Sequence, residues 1–484
     1  MSMSLASDSI LARVGAYAQT HAMFAPGPLI VGVSGGIDSL VLLHVMIRLA
    51  PRWGLQLFAA TFDHRLRGEE SQSDLIAVQT IGQAWGVPVI SGSEDVLARA
   101  QAWRLNLEAA ARRARYRFLA ATADEVEAKT IAVAHHQDDQ AETVLMRLIR
   151  GTGLDGLRGM LPRTSVPETN RSDLTLIRPF LSLSRAQISA YAYDHQIEPR
   201  YDPSNEDTRY TRNRIRHEIL PLMETLNPEV KSALARLAET ACDDYAALIT
   251  LAPPVHMTFE GASISREAFL TSPPAGAALS LRRAAEAVRP EVELSFARLG
   301  QIRSWIIRGK NGEQDLSGGL RIGQREGQIT IFDPALYPAA FPSMGAGSRL
   351  DLPAPGEYPL PESDWRVRLE VLKADSAPPL DPLMTDLTLP LESRLGLRTF
   401  HPGDRFCPQG LEGHSQKLSD TLTNLKVRPV WRDRIPLFTV DEQIVWFVPP
   451  GKPPRLAELP SAKGGSIRLR VSFHGPRAKS ETKG

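Results

Sequence analysis

The 484-residue sequence is poor in cysteine, holding only Cys242 and Cys407, far apart and in no Cys-x-x-Cys pair. That excludes a disulfide framework, a zinc ribbon and a cysteine-held iron–sulfur cluster, and it suits a reducing compartment, so a cytoplasmic location is expected. Charge of one sign is also missing: 56 Lys and Arg stand against 55 Asp and Glu, a formal net charge of +1. No global field therefore draws this chain to nucleic acid, and any RNA contact must come from local clusters. No stretch approaches the roughly 18–20 uninterrupted apolar residues of a membrane helix, and no membrane partner is expected. The first twenty residues mix Asp8 and Arg13 among apolar ones and read as no signal peptide. No internal repeat is visible. With 43% hydrophobic and 23% charged residues the composition is that of an ordinary globular protein, and the length implies two or three domains.

What is present is an alternation of short apolar runs with longer periodic ones, the pattern of βαβ units. Leu29 to Val33 reads as a buried strand. It leads through Ser34-Gly35-Gly36 into a helix to Leu49, whose Leu40, Leu43 and Ile47 share one face. Further strands are expected at Leu55 to Phe62, Pro88 to Ile90 and Thr130 to Ala134. Helices are expected up to Trp85, from Leu107 to Val126, from Ser184 to Gln196, and up to Leu226. The expected fold is α/β: an N-terminal Rossmann-like parallel sheet with helices on both faces, then a mostly helical domain and a small α+β C-terminal domain. The domains are placed at 1–228, 229–335 and 393–472, with a proline-rich linker at 336–392 and a disordered tail at 473–484. Strand-like runs at Ile435 to Val440 and Ile444 to Val448 belong to the third domain.

Several strands end on polar clusters, where open α/β sheets place ligands. The first is Ser34-Gly35-Gly36-Ile37-Asp38-Ser39, a strand-to-helix turn whose backbone N–H groups and hydroxyls face an anion with a helix dipole behind them. Phosphate is the natural guest, although the lysine of a Walker A loop is missing. Asp38 beside phosphates makes sense if it holds a magnesium ion that the phosphates share. The second cluster, His135-His136-Gln137-Asp138-Asp139 with Glu142, opens a helix; Asp139 and Glu142 are three apart and share a face that suits an ammonium. Capping of the helix or magnesium binding is the competing use of these carboxylates. A zinc site at the two histidines would want further His or Cys ligands nearby, and none is seen. The third is the irregular, arginine-rich run Arg209, Arg212, Arg214 and Arg216, able to clamp phosphate, with a solvated helix start as the alternative. Arg282, Arg283, Arg289, Arg298, Arg303, Arg308 and Lys310 make the second domain locally basic, which fits positioning of RNA phosphates or scattered surface charge equally well.

The Ser34 loop resembles that of the N-type ATP pyrophosphatases, which cleave ATP between the α- and β-phosphates; Ile37 stands where proline is usual. Asp63-His64-Arg65-Leu66-Arg67 with Glu69 and Ser71 narrows the resemblance within that superfamily. So do Asn106-Leu107-Glu108 with Arg112, Arg115 and Tyr116, His135 to Thr143, Leu148 to Gly151, and Asp202-Pro203-Ser204-Asn205 with Arg212-Asn213 and Arg216. Together they resemble the tRNA(Ile)-lysidine synthetases, long form, to whose C-terminal domain His401 to Phe406 and Trp431 to Leu437 are also similar; Thr423 to Val427 fits that domain loosely. The resemblance implies a ligase forming a carbon–nitrogen bond: ATP and Mg2+ adenylate carbon 2 of the wobble cytidine of the CAU-anticodon tRNA(Ile), and L-lysine displaces AMP, so that AUA is read in place of AUG. It implies ATP binding by Ser34, Gly35, Gly36, Ile37, Asp38, Ser39, His64 and Arg112, with the metal on Asp38. Lysine binding or catalysis falls to His135, Asp138, Asp139, Glu142 and Arg212, and tRNA binding to Arg115, Arg209, Arg214 and Arg216. The lysine proton goes to a carboxylate or to His135. A homodimer is left open, and a tRNA thiolase of the same superfamily is the alternative.

Overall fold

The computed structural model describes residues 3–66, 69–169, 171, 173–200, 211–336, 339–373, 376–379, 381–410, 414–457, 459 and 465–475. The chain divides into two compact units, Met1–Ala247 and Leu248–Gly484.

The first unit opens with α1 (Met3–Thr20), β1 (Gly27–Gly32), α2 (Ile37–Trp53), β2 (Leu55–Asp63), α3 (Glu69–Ala84) and β3 (Val89–Ser93). It continues through α4 (Val96–Trp103), α5 (Leu107–Glu125), β4 (Thr130–Ala132), α6 (Gln137–Arg150), α7 (Leu154–Leu157), β5 (Arg163–Ser165), β6 (Thr175–Ile177) and α8 (Arg185–Asp194). The sheet order is β3-β2-β1-β4-β6-β5, parallel throughout except for the antiparallel edge pair β5 and β6. Leu29, Ile30 and Val31 in β1 are buried on both faces, which is why this central strand is a continuous apolar run and not an alternating one. Helix α2 follows because Leu40, Val41, Leu43 and Leu49 all find core to enter. It stops at Gly54, whose φ of +62 makes the left-handed turn that returns the chain to β2. Two separate cores, one containing α2 and α8 and the other containing Tyr116 and Leu119 of α5, give the sheet helical cover from more than one packed cluster.

From Thr211 the unit continues with α9 (Thr211–Arg214), a π-helical turn (Ile215–Ile219), α10 (Leu220–Leu226) and α11 (Val230–Leu251). A boundary at residue 228 does not match the contacts. Val230, Leu234 and Ala238 of α11 pack with Val144 and Leu145 of α6 and with Ile215, so most of α11 is needed to cover α6.

The second unit holds β7 (His256–Thr258), β8 (Gly261–Ser265), α12 (Arg266–Thr271), α13 (Pro274–Val288), α14 (Phe296–Ile307), β9 (Gly312–Asp315), β10 (Arg321–Arg325) and β11 (Gln328–Phe332). The strands form a sheet β7-β8-β11-β10-β9, antiparallel in every pairing, against whose apolar face the helices pack. The segment 336–392 is not a linker. It supplies β12 (Arg349–Asp351), β13 (Gly356–Pro359), β14 (Arg366–Val371) and β15 (Met384–Pro390). The remaining elements are β16 (Leu395–Arg398), β17 (Arg405–Phe406), β18 (Gln416–Lys417), α15 (Leu418–Asn424), α16 (Pro429–Arg432), β19 (Leu437–Val440), β20 (Gln443–Phe447), β21 (Arg455–Leu456) and β22 (Ser466–His474). Two sheets, β12-β16-β19-β20-β21 and β13-β14-β22-β15, share one core of Trp365, Val367, Leu387, Leu397, Phe438, Trp446 and Val471. Among the described residues, the prolines of 336–392 sit between short strands or, as Pro359 and Pro390, at the ends of the edge strands β13 and β15, so a proline-rich composition did not mean absence of sheet. The last strand runs to His474, inside the segment read as a tail, and residues beyond 475 lie outside the described ones. Among the described residues no helix is long and apolar enough to cross a membrane.

Candidate active site

The strand order reverses direction at β1, with β2 on one side and β4 on the other, and this is where a doubly wound sheet opens a crevice. A cleft of about 570 Å³ lies there, lined by Ser34, Gly36, Asp38, Ser39, His64, Asp74, Arg115, His135, Asp139 and Arg200 among others.

Its floor is the turn from β1 into α2. Gly35 has φ +83, a conformation that L side chains rarely adopt, and this lets the chain reverse within two residues. Ser39 Oγ accepts from the Ser34 backbone N–H at 3.1 Å and donates to the Gly36 carbonyl at 2.9 Å, closing the loop on itself. Gly36 is the N-cap and offers no side chain, so the first-turn N–H groups of α2 receive no side-chain cap. Such a start is an anion seat. Gly35 and Ile37 do not line the cleft: Gly35 shapes the turn, and Ile37 packs against the core.

Asp38, one residue into the helix, has a buried Oδ1 without any hydrogen-bond partner. Its Oδ2 stands 3.7 Å from Nε2 of His136, and Asp139 Oδ2 is 3.4 Å from the same nitrogen. Burial of His136 opposes its charge, but Asp38, as acceptor for the ring N–H, and the fields of Asp139, Asp38 and Asp138 outweigh it, and the pKa is raised. Among the described residues no group of three or more His, Cys, Asp or Glu is arranged to hold a metal. A magnesium ion suits the place nonetheless, because it keeps waters and substrate phosphates as ligands and needs only one or two carboxylate oxygens; Asp38 Oδ1 is such an oxygen.

His135 is held differently. Arg178, a buried guanidinium, donates from Nε to His135 Nδ1 at 3.3 Å, which leaves the ring proton on Nε2. Burial and the surrounding Arg178, Arg115, Arg212 and Arg112 push its pKa well below the usual value. The ring is a neutral donor and a poor base, so the expectation that His135 accepts the lysine proton is not supported. His64 reaches the cleft from the end of β2, its pKa lowered to about 4 by burial and then by Arg115.

On α6, Asp139 and Glu142 face the pair Arg212 and Arg216, four apart across α9 and the π turn. Glu142, 2% exposed, accepts from Arg212 Nε at 2.7 Å and from Arg216 Nε and NH2 at 2.5 and 3.0 Å. Asp139 accepts from Arg212 and Arg216 at 3.0 and 3.1 Å. Arg216 pays desolvation, yet Glu142 and Asp139 raise its pKa. Arg216, expected on tRNA, is therefore committed to the acidic pair. Asp138 turns away from it: its carboxylate accepts from the Arg185 N–H at 2.9 Å and pairs with Lys231 at 3.1 Å, bracing α6 against α8 and α11.

Of two arginines on α5, the one expected at ATP, Arg112, does not line the cleft, and the one expected on tRNA, Arg115, does. Arg115 lines the cleft with a buried, unpartnered Nε, whereas Arg112 is exposed, stacked 4.9 Å over Tyr116. The reason is that Arg115 lies one turn before the cleft-lining Leu119 on α5. Arg214 points to solvent and pairs with Glu218. Arg209 and the Tyr201 to Asn205 run lie outside the described residues, as do Arg67 and Gly68. Arg178, Arg200, Asp74 and Lys231 were not picked out from sequence; each is a lone charge in an unremarkable context, and only its partner across the fold reveals it.

A switch-point crevice floored by a glycine-rich, lysine-free anion loop defines the class of the first unit, and residues 13–223 match the PP-loop domain family. Residues 395–467 match the family described as the TilS substrate C-terminal domain. The chain is 34% identical over 452 residues to the tRNA(Ile)-lysidine synthase of Geobacter sulfurreducens, covering 91% of this chain and 92% of that protein. It is 34% identical to the tRNA(Ile)-lysidine synthase of Symbiobacterium thermophilum, covering 90% and 92%, and 33% identical to that of Geobacillus kaustophilus, covering 90% and 93%. The chain belongs to the tRNA(Ile)-lysidine synthase family.

Proposed function

We propose that this chain forms the carbon–nitrogen bond of lysidine in the CAU-anticodon tRNA(Ile), using ATP, magnesium and L-lysine. The observation that carries the reading is the meeting, in one cleft, of an open anion loop, an orphaned Asp38 oxygen and the acidic residue Asp139. Phosphates of ATP sit on the Ser34 to Ser39 loop, with Arg115 as the cation facing them. Magnesium, held through Asp38, would neutralise charge on the departing pyrophosphate. The cytosine leaves its stack to enter the cleft. Its O2 attacks the α-phosphorus, the bond to the β-phosphate oxygen breaks, and pyrophosphate departs. The ε-amine of lysine, having lost a proton, then attacks carbon 2, and the carbon–oxygen bond breaks to release AMP. Asp139 is the proton acceptor in this scheme, because it lines the cleft while His135 is held as a donor. Arg212 moves from Glu142 and Asp139 as the ammonium of lysine takes its place, and Arg214 contacts RNA phosphate.

A thiolase reading is disfavoured. Two separated cysteines give no catalytic pair, and burial pushes the Cys242 thiol up, away from reactivity.

The test is transfer of labelled lysine into the CAU-anticodon tRNA(Ile) by purified protein with ATP and magnesium. Asp38→Ala and Glu142→Ala should each abolish transfer. Incorporation that survives Asp38→Ala removes the central assignment.

A further inference from the structure

The second unit carries a smaller cavity, of about 230 Å³, which the catalytic reading does not use. Asn311 comes from the loop after α14, Arg325 and Glu326 from the β10–β11 hairpin, Thr423 and Lys426 from the end of α15, and Arg432 from the end of α16.

The charges around this cavity do not balance. Glu313 serves three guanidiniums at once, Arg428 at 2.7 Å, Arg325 at 3.4 Å and Arg321 at 3.5 Å. Arg428 takes Glu260 as well, and Lys426 takes Glu326. Arg432 uses Nε and NH2 on the Val427 carbonyl at 3.1 and 3.0 Å, and among the described residues no carboxylate pairs with it. Four of these five cations, Arg321, Arg325, Arg428 and Lys426, thus pair with four carboxylates, Glu260, Glu313, Asp315 and Glu326, and Arg432 is left over. Burial, and then the field of Arg325, lower the pKa of Arg432, so the protein holds two like charges together with only Glu313, already shared among three arginines, to offset them. An anion in the cavity would relieve that cost. Thr423 and Asn311 add neutral donors.

We propose that this cavity seats a phosphate of the tRNA backbone, with Arg325, Lys426 and Arg432 as its cationic donors. The proposal rests on the reading of this chain as a tRNA-modifying enzyme. No aromatic side chain lines the cavity, so nothing there would stack the base of a free nucleotide. The loop leading into it exposes Arg308 and Lys310 beside Asn311, which extends the positive rim as a polyanion would require. Such a contact fixes the register of the RNA without reading its sequence.

The experiment measures binding of full-length tRNA to the full chain by fluorescence anisotropy across a series of salt concentrations. Lys426→Ala and Arg325→Ala should each weaken binding by about five-fold or more and reduce the log–log salt slope by about one, as loss of one phosphate contact predicts. Lys373→Ala, a loss of exposed charge elsewhere in the same unit, should leave the slope as it is. Arg432→Lys, which keeps the charge, should weaken binding less than Arg325→Ala. Thermal unfolding of each variant separates lost contact from lost fold. Slopes and affinities equal to the wild type in folded variants overturn the proposal. Inorganic phosphate that raises the melting temperature of the wild type but not of Lys426→Ala, with tRNA binding unaltered, assigns the cavity to free phosphate and also overturns it. Wild-type protein that binds tRNA with the expected slope yet incorporates no lysine sinks the proposed function and leaves the cavity assignment standing.

Discussion

Replacing Glu142 by Gln isolates the acidic pair of the cleft. The side chain keeps its volume, but two guanidiniums that Glu142 now neutralises, Arg212 and Arg216, are left to share Asp139. Removing one partner of a buried ion pair costs about 3–5 kcal/mol. Arg212 and Arg216 retain 34% and 23% side-chain exposure and still hold Asp139, so water and that carboxylate recover part of the loss. A net cost of roughly 2–3 kcal/mol follows. For a unit of this size each kcal/mol shifts the melting temperature by about 2–4 °C, so a fall of roughly 4–12 °C is expected in thermal unfolding followed by circular dichroism. A double-mutant cycle with Arg216→Met should return a coupling of about 1–3 kcal/mol between the two positions. A shift under about 1 °C, or additive single and double variants, refutes the argument that this cluster is a linked charge network.

Three further outcomes are expected. His44 and His64 both have pKa values lowered to about 4 by burial, then by His195 and Arg48 for the first and by Arg115 for the second. The unfolded chain binds their protons more readily, so stability is full above the unfolded value near 6.5 and falls as pH drops from there toward 4. His136, with a raised pKa, acts oppositely and loses its contribution above pH 6.5. Melting curves between pH 7 and 4.5 check this, and a slope that His44→Gln leaves unaltered would be wrong for it. Gly35→Ala forces a side chain into φ +83, at a cost of about 1–2 kcal/mol, and should raise the KM for ATP in pyrophosphate release. An unaltered KM would show that the loop tolerates another path. Arg428, 3% exposed, bridges Glu260 at 2.5 Å and Glu313 at 2.7 Å beneath Phe332, so Arg428→Ala should destabilise the second unit by about 3–5 kcal/mol in urea. Loss no greater than that of an exposed arginine such as Arg366 contradicts it.

Much of the catalytic unit was legible in sequence because parallel strands buried on both faces announce themselves as apolar runs, as Leu29 to Val33 did. The loop at Ser34 was legible for a related reason: a turn between strand and helix that must leave backbone N–H groups open needs glycine and small hydroxyls in a fixed order. Short elements were harder. Helix α4 and strands β5 and β6 span 8, 3 and 3 residues and carry too little periodicity to register. The strands of 336–392 were hidden for a different reason, since short edge strands tolerate the prolines that normally argue against a sheet.

The amino-acid sequence by itself determined the residue types that chemistry needs: the anion loop, Asp38, the acidic pair at Asp139 and Glu142, and the arginines that follow. These are local patterns, set by the geometry of one turn or one helix face. Which arginine meets which acid is not local. Only the packing of α6 against α9 and the π turn put Arg216 on Glu142, turned Asp138 to Lys231, and fixed His135 as a donor through Arg178. Charge partners lie tens of residues apart in the chain, and their pairing depends on how helices dock on one sheet, which no short-range pattern encodes.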